Sequence, residues 1–216
     1  MATANPLSIL SSLAVAWALV WLPSVAAAQA TAVAEFVLPE ESERPVLVLR
    51  ETPTELVGAP TRELRVFPDG RCELDVPRPM RHAGEHEWEI PRAEVQGLVT
   101  QAFAADVDAI DPAQLRASLR SARSADDSLG QTYRFDDGVV EFELNVERQR
   151  RGRAAAWAPV ARRVRLSGLR ADRARHPADE RVGRLSALRD ALDAVAERYL
   201  DESDESAGSA GSEPAP

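Results

Sequence analysis

The residues best suited to chemistry form an arginine-rich stretch in the second half of the chain. From Arg148 to Arg175 there are ten arginines against one acid, Asp172. Guanidinium groups bind phosphate and carboxylate through paired hydrogen bonds, and tryptophan suits a lipid interface. The alternative is a solvated hairpin loop, or arginines that pair with the acidic leader or tail of the same chain. The candidate ligand-binding residues are Arg148, Arg150, Arg151, Arg153, Trp157, Arg162 and Arg163.

A second pattern, His82-Ala83-Gly84-Glu85-His86, has the letters of the H-x-x-E-H motif of inverted zinc peptidases. That chemistry requires a helix, on which both imidazoles meet one metal while the glutamate activates a water. Residues 85–90 instead alternate as a strand, where His82 and His86 lie about 13 Å apart unless Gly84 forms a bulge. We therefore expect no metal site here, and keep a metal-dependent hydrolase centred on His82, Glu85 and His86 as the alternative function.

Other catalytic groups are sparse. Cys72, the single cysteine, lies on the apolar face of a predicted strand and is expected to be an inert buried thiol, with pairing between chains as the alternative. Glu85, Glu87 and Glu89 form an acidic row that is typical of a solvated sheet face, although such a row also suits a hard cation or acid–base catalysis. Nucleophile-elbow and phosphate-loop motifs are missing, so no catalytic residue and no cofactor is assigned.

The elements that must position these residues are predicted strands, in which apolar and polar residues alternate, followed by predicted helices. This order occurs twice along the chain. Helices are predicted from Pro91, from Asp111-Pro112 and from Asp179, and the order is β-β-β-β-α-α-β-β-β-α. Separate hairpins and helices predict an α+β fold, an antiparallel sheet with amphipathic helices packed on one face. The strands are predicted at 46–49, 62–67, 71–76, 85–90, 133–135, 140–146 and 163–166.

Both halves of the chain carry a Phe-x-Asp-Gly turn, at Phe67–Gly70 and Phe135–Gly138. A diverged duplication would give a two-fold β-β-β-α pseudo-repeat. The alternative is chance, because Asp-Gly is common in hairpin turns.

The first 30 residues resemble a signal peptide. An uncharged apolar run from Leu7 to Leu22 is short for a bilayer span, which needs about 20 residues. Ala28 and Ala30 fit a small-x-small cleavage site, so we expect cleavage after Ala30, with an uncleaved anchor as the alternative. After cleavage no transmembrane segment is expected.

Charge and composition exclude several classes of protein and indicate where the folded domain begins and ends. With 44 % apolar and 28 % charged residues, the chain is neither wholly disordered nor a multi-span membrane protein. All 26 basic residues are arginine, which excludes a Schiff-base lysine and a Walker-type lysine. We expect an extended leader over 31–44, one α+β domain over 45–200 and a disordered acidic tail over 201–216.

A signal peptide, then R-E-L-R-V-F-P-D-G-R, then R-H-A-G-E-H-E-W-E-I and an amphipathic helix resembles small uncharacterised secreted or periplasmic domains of bacteria. The resemblance covers roughly Pro45 to Asp111. It implies an α+β fold and a cell-envelope location, periplasmic or secreted, and it brings no catalytic residue with it.

These observations predict an exported, non-catalytic binding or accessory module of the cell envelope. Its expected partner is an envelope protein or an anionic lipid or polysaccharide. Nucleic acid is not expected, because the chain is exported and carries a net charge of -9. A purely structural subunit without a site of its own is a further alternative, beside the hydrolase.

Overall fold

Alternating apolar and polar residues build one antiparallel sheet of seven strands, so the predicted α+β class is confirmed. The computed structural model describes residues 34–39, 43–53, 58–124, 138–152 and 154–210. The strands are β1 (Ala34–Val37), β2 (Leu47–Thr52), β3 (Arg62–Val66), β4 (Arg71–Val76), β5 (Gly84–Glu89), β6 (Val139–Arg151) and β7 (Ala158–Ser167). The helices are α1 (Arg92–Ala104), α2 (Pro112–Ser124), α3 (Leu169–Arg175) and α4 (Glu180–Ala210).

The long strand β6 organises the sheet. β7 pairs with one edge of β6, while β1 and β2 follow one another along the other edge, opposite 148–151 and 139–144 respectively. β3, β4 and β5 then add on the far side of β2. The strand positions across the sheet are therefore β7, β6, β1/β2, β3, β4 and β5. Every neighbouring pair is antiparallel, so strand direction alternates from one edge to the other.

One hydrophobic core fills the space between the sheet and the helices. A single cross-strand row contributes Leu49, Leu64, Leu74 and Phe142, each at most 1 % exposed. All four helices supply residues to the same cluster, as the apolar stripes of α1 and α4 predict. The helices that the structure describes thus share one face of the sheet, and we call the opposite side the open face. Among the described residues, none of the helices is both long enough and apolar enough to span a bilayer.

Two aspartates cap helices where the sequence predicts helix starts. Oδ1 of Asp111 accepts the amide N–H of Ala113 at 2.8 Å. Oδ1 of Asp179 accepts the amides of Arg181 and Val182 at 3.0 and 3.2 Å. Each cap satisfies amides at the first turn that have no partner within the helix.

Four charged side chains link the sheet to α4. Arg189 is 6 % exposed and lies close to Glu51 of β2 and Asp193 of its own helix. Arg62 of β3 contacts the same two carboxylates at 3.0 and 2.5 Å. The four groups form a closed ring of alternating charge, which compensates each charge for its loss of water.

The open face also buries apolar side chains. Val48, in the middle of β2, is 2 % exposed, and Phe67, just after β3, is 3 % exposed. The Cζ atom of Arg71 lies 3.6 Å from the centroid of the Phe67 ring. The guanidinium group of Arg71 thus covers an apolar ring on this face.

Three observed elements differ from the sequence expectations. The leader contains β1, which pairs with β6 and stacks Phe36 on Phe103 of α1 at 5.6 Å between ring centroids. α3 was not predicted. α4 runs to Ala210, past the expected boundary at Leu200, because no proline interrupts it and Ser203 Oγ donates to the carbonyl of Tyr199.

Several expectations lie outside the described residues. The signal peptide over 1–30 and the strand at 133–135 are among them, together with the end of the tail over 211–216. The signal peptide and the pseudo-repeat therefore stay predictions.

Candidate functional site

A β-bulge in β6 decides which arginines face which side of the sheet. The pairing of β6 with β7 shifts between Val146 and Gln149. Before the shift, even-numbered residues such as Val146 face the helices. After it, Arg151 faces them, and Arg148 and Arg150 emerge on the open face. An extra residue in one strand re-aims the side chains that follow it in this way.

Trp157, just before β7, lies beside these two arginines. The Cζ atoms of Arg150 and Arg148 are 4.8 and 5.4 Å from its ring centroid, within the range of cation–π attraction. Val37 pairs with Arg148 across β1 and β6. Trp157 is 38 % exposed and Val37 is 44 % exposed, and they are the exposed large hydrophobic residues of the described chain. We call Val37, Arg148, Arg150 and Trp157 the Trp157 patch.

A carboxylate of the leader already occupies part of this patch. Glu35 accepts hydrogen bonds from Nε and Nη2 of Arg150 at 2.9 and 2.5 Å. Glu35 is 45 % exposed, and ion pairs at such positions contribute at most about 1 kcal/mol. Displacement of Glu35 by an external anion therefore costs at most about 1 kcal/mol. This internal pairing was the alternative that the charge distribution left open, and here it holds for Arg150.

A small crevice adjoins the patch where β1 and β2 leave a gap along β6. Its volume is about 110 Å³, and its walls include Pro39, Val46 and Pro159. Arg44 and Asn145 lie at its polar side, with Arg44 Nη2 donating to Asn145 Oδ1 at 2.6 Å. The crevice is large enough for a few apolar heavy atoms.

The remaining candidate arginines serve the fold. Arg151 donates to Asp106 and Asp108 beyond the end of α1, and the hydrogen bond with Asp108 raises the pKa of Arg151 although burial opposes this. Arg162 Nη2 donates to the carbonyl of Ile110 at 3.1 Å. Arg163 pairs with Glu143 at 2.9 Å.

The structure therefore gathers two of the candidate arginines with Trp157 and directs Arg151, Arg162 and Arg163 elsewhere. Arg153 lies outside the described residues. Sequence reasoning missed Val37 and Glu35, because pairing between β1 and β6 spans more than a hundred residues and leaves no local signal.

Only the second part of the histidine motif, from Gly84 to His86, lies on strand β5. His82 lies in the preceding turn with a φ of 60°, so the predicted extended segment begins at Gly84 and not at His82. Within β5, Glu85 pairs with Asp75 and points to the open face, whereas His86 pairs with Leu74 and points to the helix side. Nε2 of His86 donates to the carbonyl of His82 at 2.7 Å. In the part of the chain that the structure describes, no three His, Cys, Asp or Glu side chains converge as metal ligands. The hydrolase alternative stays a prediction that this geometry does not favour.

Cys72 is fully buried on the helix side of β4. Burial raises the pKa of its thiol to about 12, with the nearby carboxylates of Glu94 and Asp69 adding to the shift. A thiol with such a pKa carries almost no thiolate at neutral pH, so it is a poor nucleophile.

Comparison of the chain with protein-family models, with curated proteins and with solved structures yields no match in any of the three.

Proposed function

We propose that this chain is an exported, non-catalytic binding module of the bacterial cell envelope, and that the Trp157 patch holds an anionic surface ligand. One observation carries the proposal. Both exposed large hydrophobic residues of the described chain adjoin Arg148: Val37 is its cross-strand partner, and the Trp157 ring centroid lies 5.4 Å from its Cζ atom. Isolated exposed hydrophobics are common on proteins, but two that adjoin arginines suit a ligand with an anionic head and an apolar portion.

The chemistry of the patch favours phosphate-bearing amphiphiles. Arg148 and Arg150 present hydrogen-bond donors to phosphate oxygens, and Trp157 and Val37 contact the hydrocarbon next to the headgroup. The crevice of about 110 Å³ beside Pro159 accommodates only a short apolar segment. Membrane lipid headgroups and the phosphates of envelope polysaccharides share this chemistry.

The proposed location rests on the sequence of residues 1–30, where an uncharged apolar run precedes a small-x-small site. In that compartment anionic lipids and polysaccharides are abundant, and an envelope protein with an acidic surface segment is the other partner class.

Vesicle co-sedimentation of the full chain tests the proposal. We expect more binding to vesicles of phosphatidylglycerol and phosphatidylcholine than to phosphatidylcholine alone. We also expect at least a fivefold loss of this difference with Trp157→Ala or with Arg148→Ala/Arg150→Ala, since several interfacial contacts of about 1 kcal/mol are removed. Arg170→Ala, which removes an exposed arginine from α3, is the matched control.

The apolar segment at residues 7–22 is present in every variant, so differences between variants report the patch. Competition by soluble lipopolysaccharide, with vesicle binding weak, would identify polysaccharide phosphate as the ligand. Equal binding by the wild type, Trp157→Ala and the double arginine variant would refute the proposal.

A further inference from the structure

Two rows of side chains, charged at every position except Val48, cross the open face from one edge of the sheet to the other. Each row follows the cross-strand register through β7, β6, β2, β3, β4 and β5 in turn. The first row is Arg165, Glu141, Arg50, Glu63, Asp75 and Glu85. The second row is Arg163, Glu143, Val48, Arg65, Glu73 and Glu87.

Opposite charges alternate through the middle of these rows. Arg50 donates to Glu63, Glu141 and Glu143 at 2.8, 2.9 and 3.0 Å. Arg65 bridges Glu63 and Glu73 in the same way. The interior of the open face is thus electrostatically matched within the chain.

The alternation fails towards the β5 edge, where carboxylates lie opposite carboxylates, and in the first row this begins with Glu63 opposite Asp75. Glu85 lies directly opposite Asp75, and Glu87 lies directly opposite Glu73. Like charges at directly opposed positions destabilise a strand pair. Glu85 and Glu87 are exposed, and neither forms an ion pair with any other residue that the structure describes. This edge therefore carries unmatched negative charge in the isolated molecule.

The β7 edge carries the opposite charge. Arg165 is exposed and has no ion pair among the described residues, and Arg163 is 59 % exposed although it contacts Glu143. β5 and β7 each pair with a single described strand, so each offers an outer backbone edge. Free strand edges accept a further strand by backbone hydrogen bonding.

Strand directions allow one copy of the sheet to continue into the next. Because the six strand positions alternate in direction, β5 and β7 run in opposite directions. A second copy placed beside β5, with its open face on the same side, therefore presents its β7 antiparallel to β5. In the register that continues both rows, Glu85 lies opposite Arg165 of the second copy, and Glu87 lies opposite Arg163 of the second copy.

We propose that copies of this chain associate end to end, with β5 of one copy pairing with β7 of the next. The two symmetric alternatives, β5 with β5 or β7 with β7, place glutamates against glutamates or arginines against arginines. Charge thus selects the heterologous arrangement, in which each copy uses two different surfaces and the assembly grows as an open chain or a ring. The proposal does not depend on the Trp157 patch.

Charge exchange tests the proposal by analytical ultracentrifugation of the full chain at low salt. We expect concentration-dependent assembly of the wild type that weakens at least tenfold in 0.5 M salt, since the Debye length falls to about 4 Å. Glu85→Arg/Glu87→Arg alone, and Arg163→Glu/Arg165→Glu alone, place like charges at the contact and should each remain monomeric. An equimolar mixture of the two variants restores opposite charges at every contact and should assemble again.

Arg163→Glu also places a carboxylate beside Glu143 and removes an ion pair within the chain. A second test therefore leaves Glu85, Glu87, Arg163 and Arg165 unchanged. In the proposed register Glu89 lies opposite Ala161 of the next copy, and both are exposed. Oxidation of a mixture of Glu89→Cys and Ala161→Cys chains should give a mixed disulfide dimer. Oxidation of either variant alone should give little dimer, and the native Cys72 is buried.

Three results would overturn the proposal. The first is a wild-type chain that stays monomeric at low salt and high concentration. The second is assembly that Glu85→Arg/Glu87→Arg leaves unchanged. The third is preferential formation of the Glu89→Cys homodimer, which indicates pairing of β5 with β5.

Discussion

Nε of Arg189 on α4 donates a hydrogen bond of 2.6 Å to Oε1 of Glu51 on β2, beneath the helix layer. Nη2 of the same arginine contacts Asp193 at 2.8 Å, and Arg62 closes the ring from β3. The contact fixes the angle and register of α4 on the sheet, because Arg189 is buried, the Glu51 side chain is only 20 % exposed and the hydrogen bond is directional.

Removal of Arg189 should strongly destabilise the protein. Arg189→Ala leaves Glu51 and Asp193 near each other with only Arg62 to balance them, and breaking such a buried pair costs about 3–5 kcal/mol. Urea unfolding followed by circular dichroism measures the change. Arg198→Ala is the control, because Arg198 also pairs with a carboxylate, Glu94, but is 53 % exposed and should cost less than about 1 kcal/mol. Equal losses for the two variants would contradict the structural role of the ring.

Stability should fall in acid through the open-face carboxylates. Burial raises the pKa of Glu143, but hydrogen bonds from Asn145, Arg50 and Arg163 outweigh it and bring the pKa from 4.5 to about 2. The pKa of Glu63 is lowered by Arg50 and Arg65 in the same manner, again against burial. The folded state then binds fewer protons than the unfolded state, so this stabilisation is complete above about pH 4.5 and is lost as the pH falls towards 2.

The urea midpoint between pH 6 and pH 2 measures this dependence. Glu143→Gln should be less stable than the wild type at pH 6 and should lose less stability on acidification. A wild-type midpoint that stays constant down to pH 2 would show that these carboxylates are not stabilised in the folded state.

Neutralising Glu35 should strengthen binding of anionic vesicles. Glu35→Gln releases the guanidinium of Arg150 from its internal carboxylate, and we expect affinity to rise about two- to fivefold, the range for loss of an exposed competing ion pair. Glu197→Gln removes one exposed negative charge from α4 and controls for net charge. If the two variants gain affinity equally, net charge alone controls binding and the Trp157 patch has no special part in it.

The Cys72 thiol should react slowly in the folded protein. Its pKa of about 12 and its burial keep it protonated and inaccessible near pH 8. An aromatic disulfide reagent should modify Cys72 at least a hundredfold more slowly than it modifies the exposed cysteine of Ala161→Cys. Cys72 should react completely once guanidinium chloride unfolds the chain. Rapid modification of the native protein would instead indicate that β4 opens readily.

Local patterns explain most of the predictable fold. The alternation of β3, β4 and β5 and the stripes of α1 and α4 each follow from periodicity within one element. Asp111 and Asp179 acted as caps because capping depends only on the next two or three residues.

Features that depend on distant residues escaped prediction. β1 is a strand because Phe36 meets Phe103 and because the end of β6 needs a partner, and neither fact is visible in residues 31–44. The bulge after Val146 likewise has no sequence marker, yet it separates Arg148 and Arg150 from Arg151. The sequence therefore identified an arginine-rich segment, but it did not show which of these arginines share a face, and their role in binding stays a prediction.

Val48 and Phe67 are buried on the open face, and the guanidinium group of Arg71 lies over the Phe67 ring. A flat cation can shelter hydrocarbon with its plane while its edge donates to acids, and an ammonium group on a narrow stem cannot. Replacement of the arginines there by lysine would keep the formal charge of the chain and still uncover the apolar side chains beneath them. In this molecule the arginine side chains thus shield apolar groups from water as well as pairing with carboxylates.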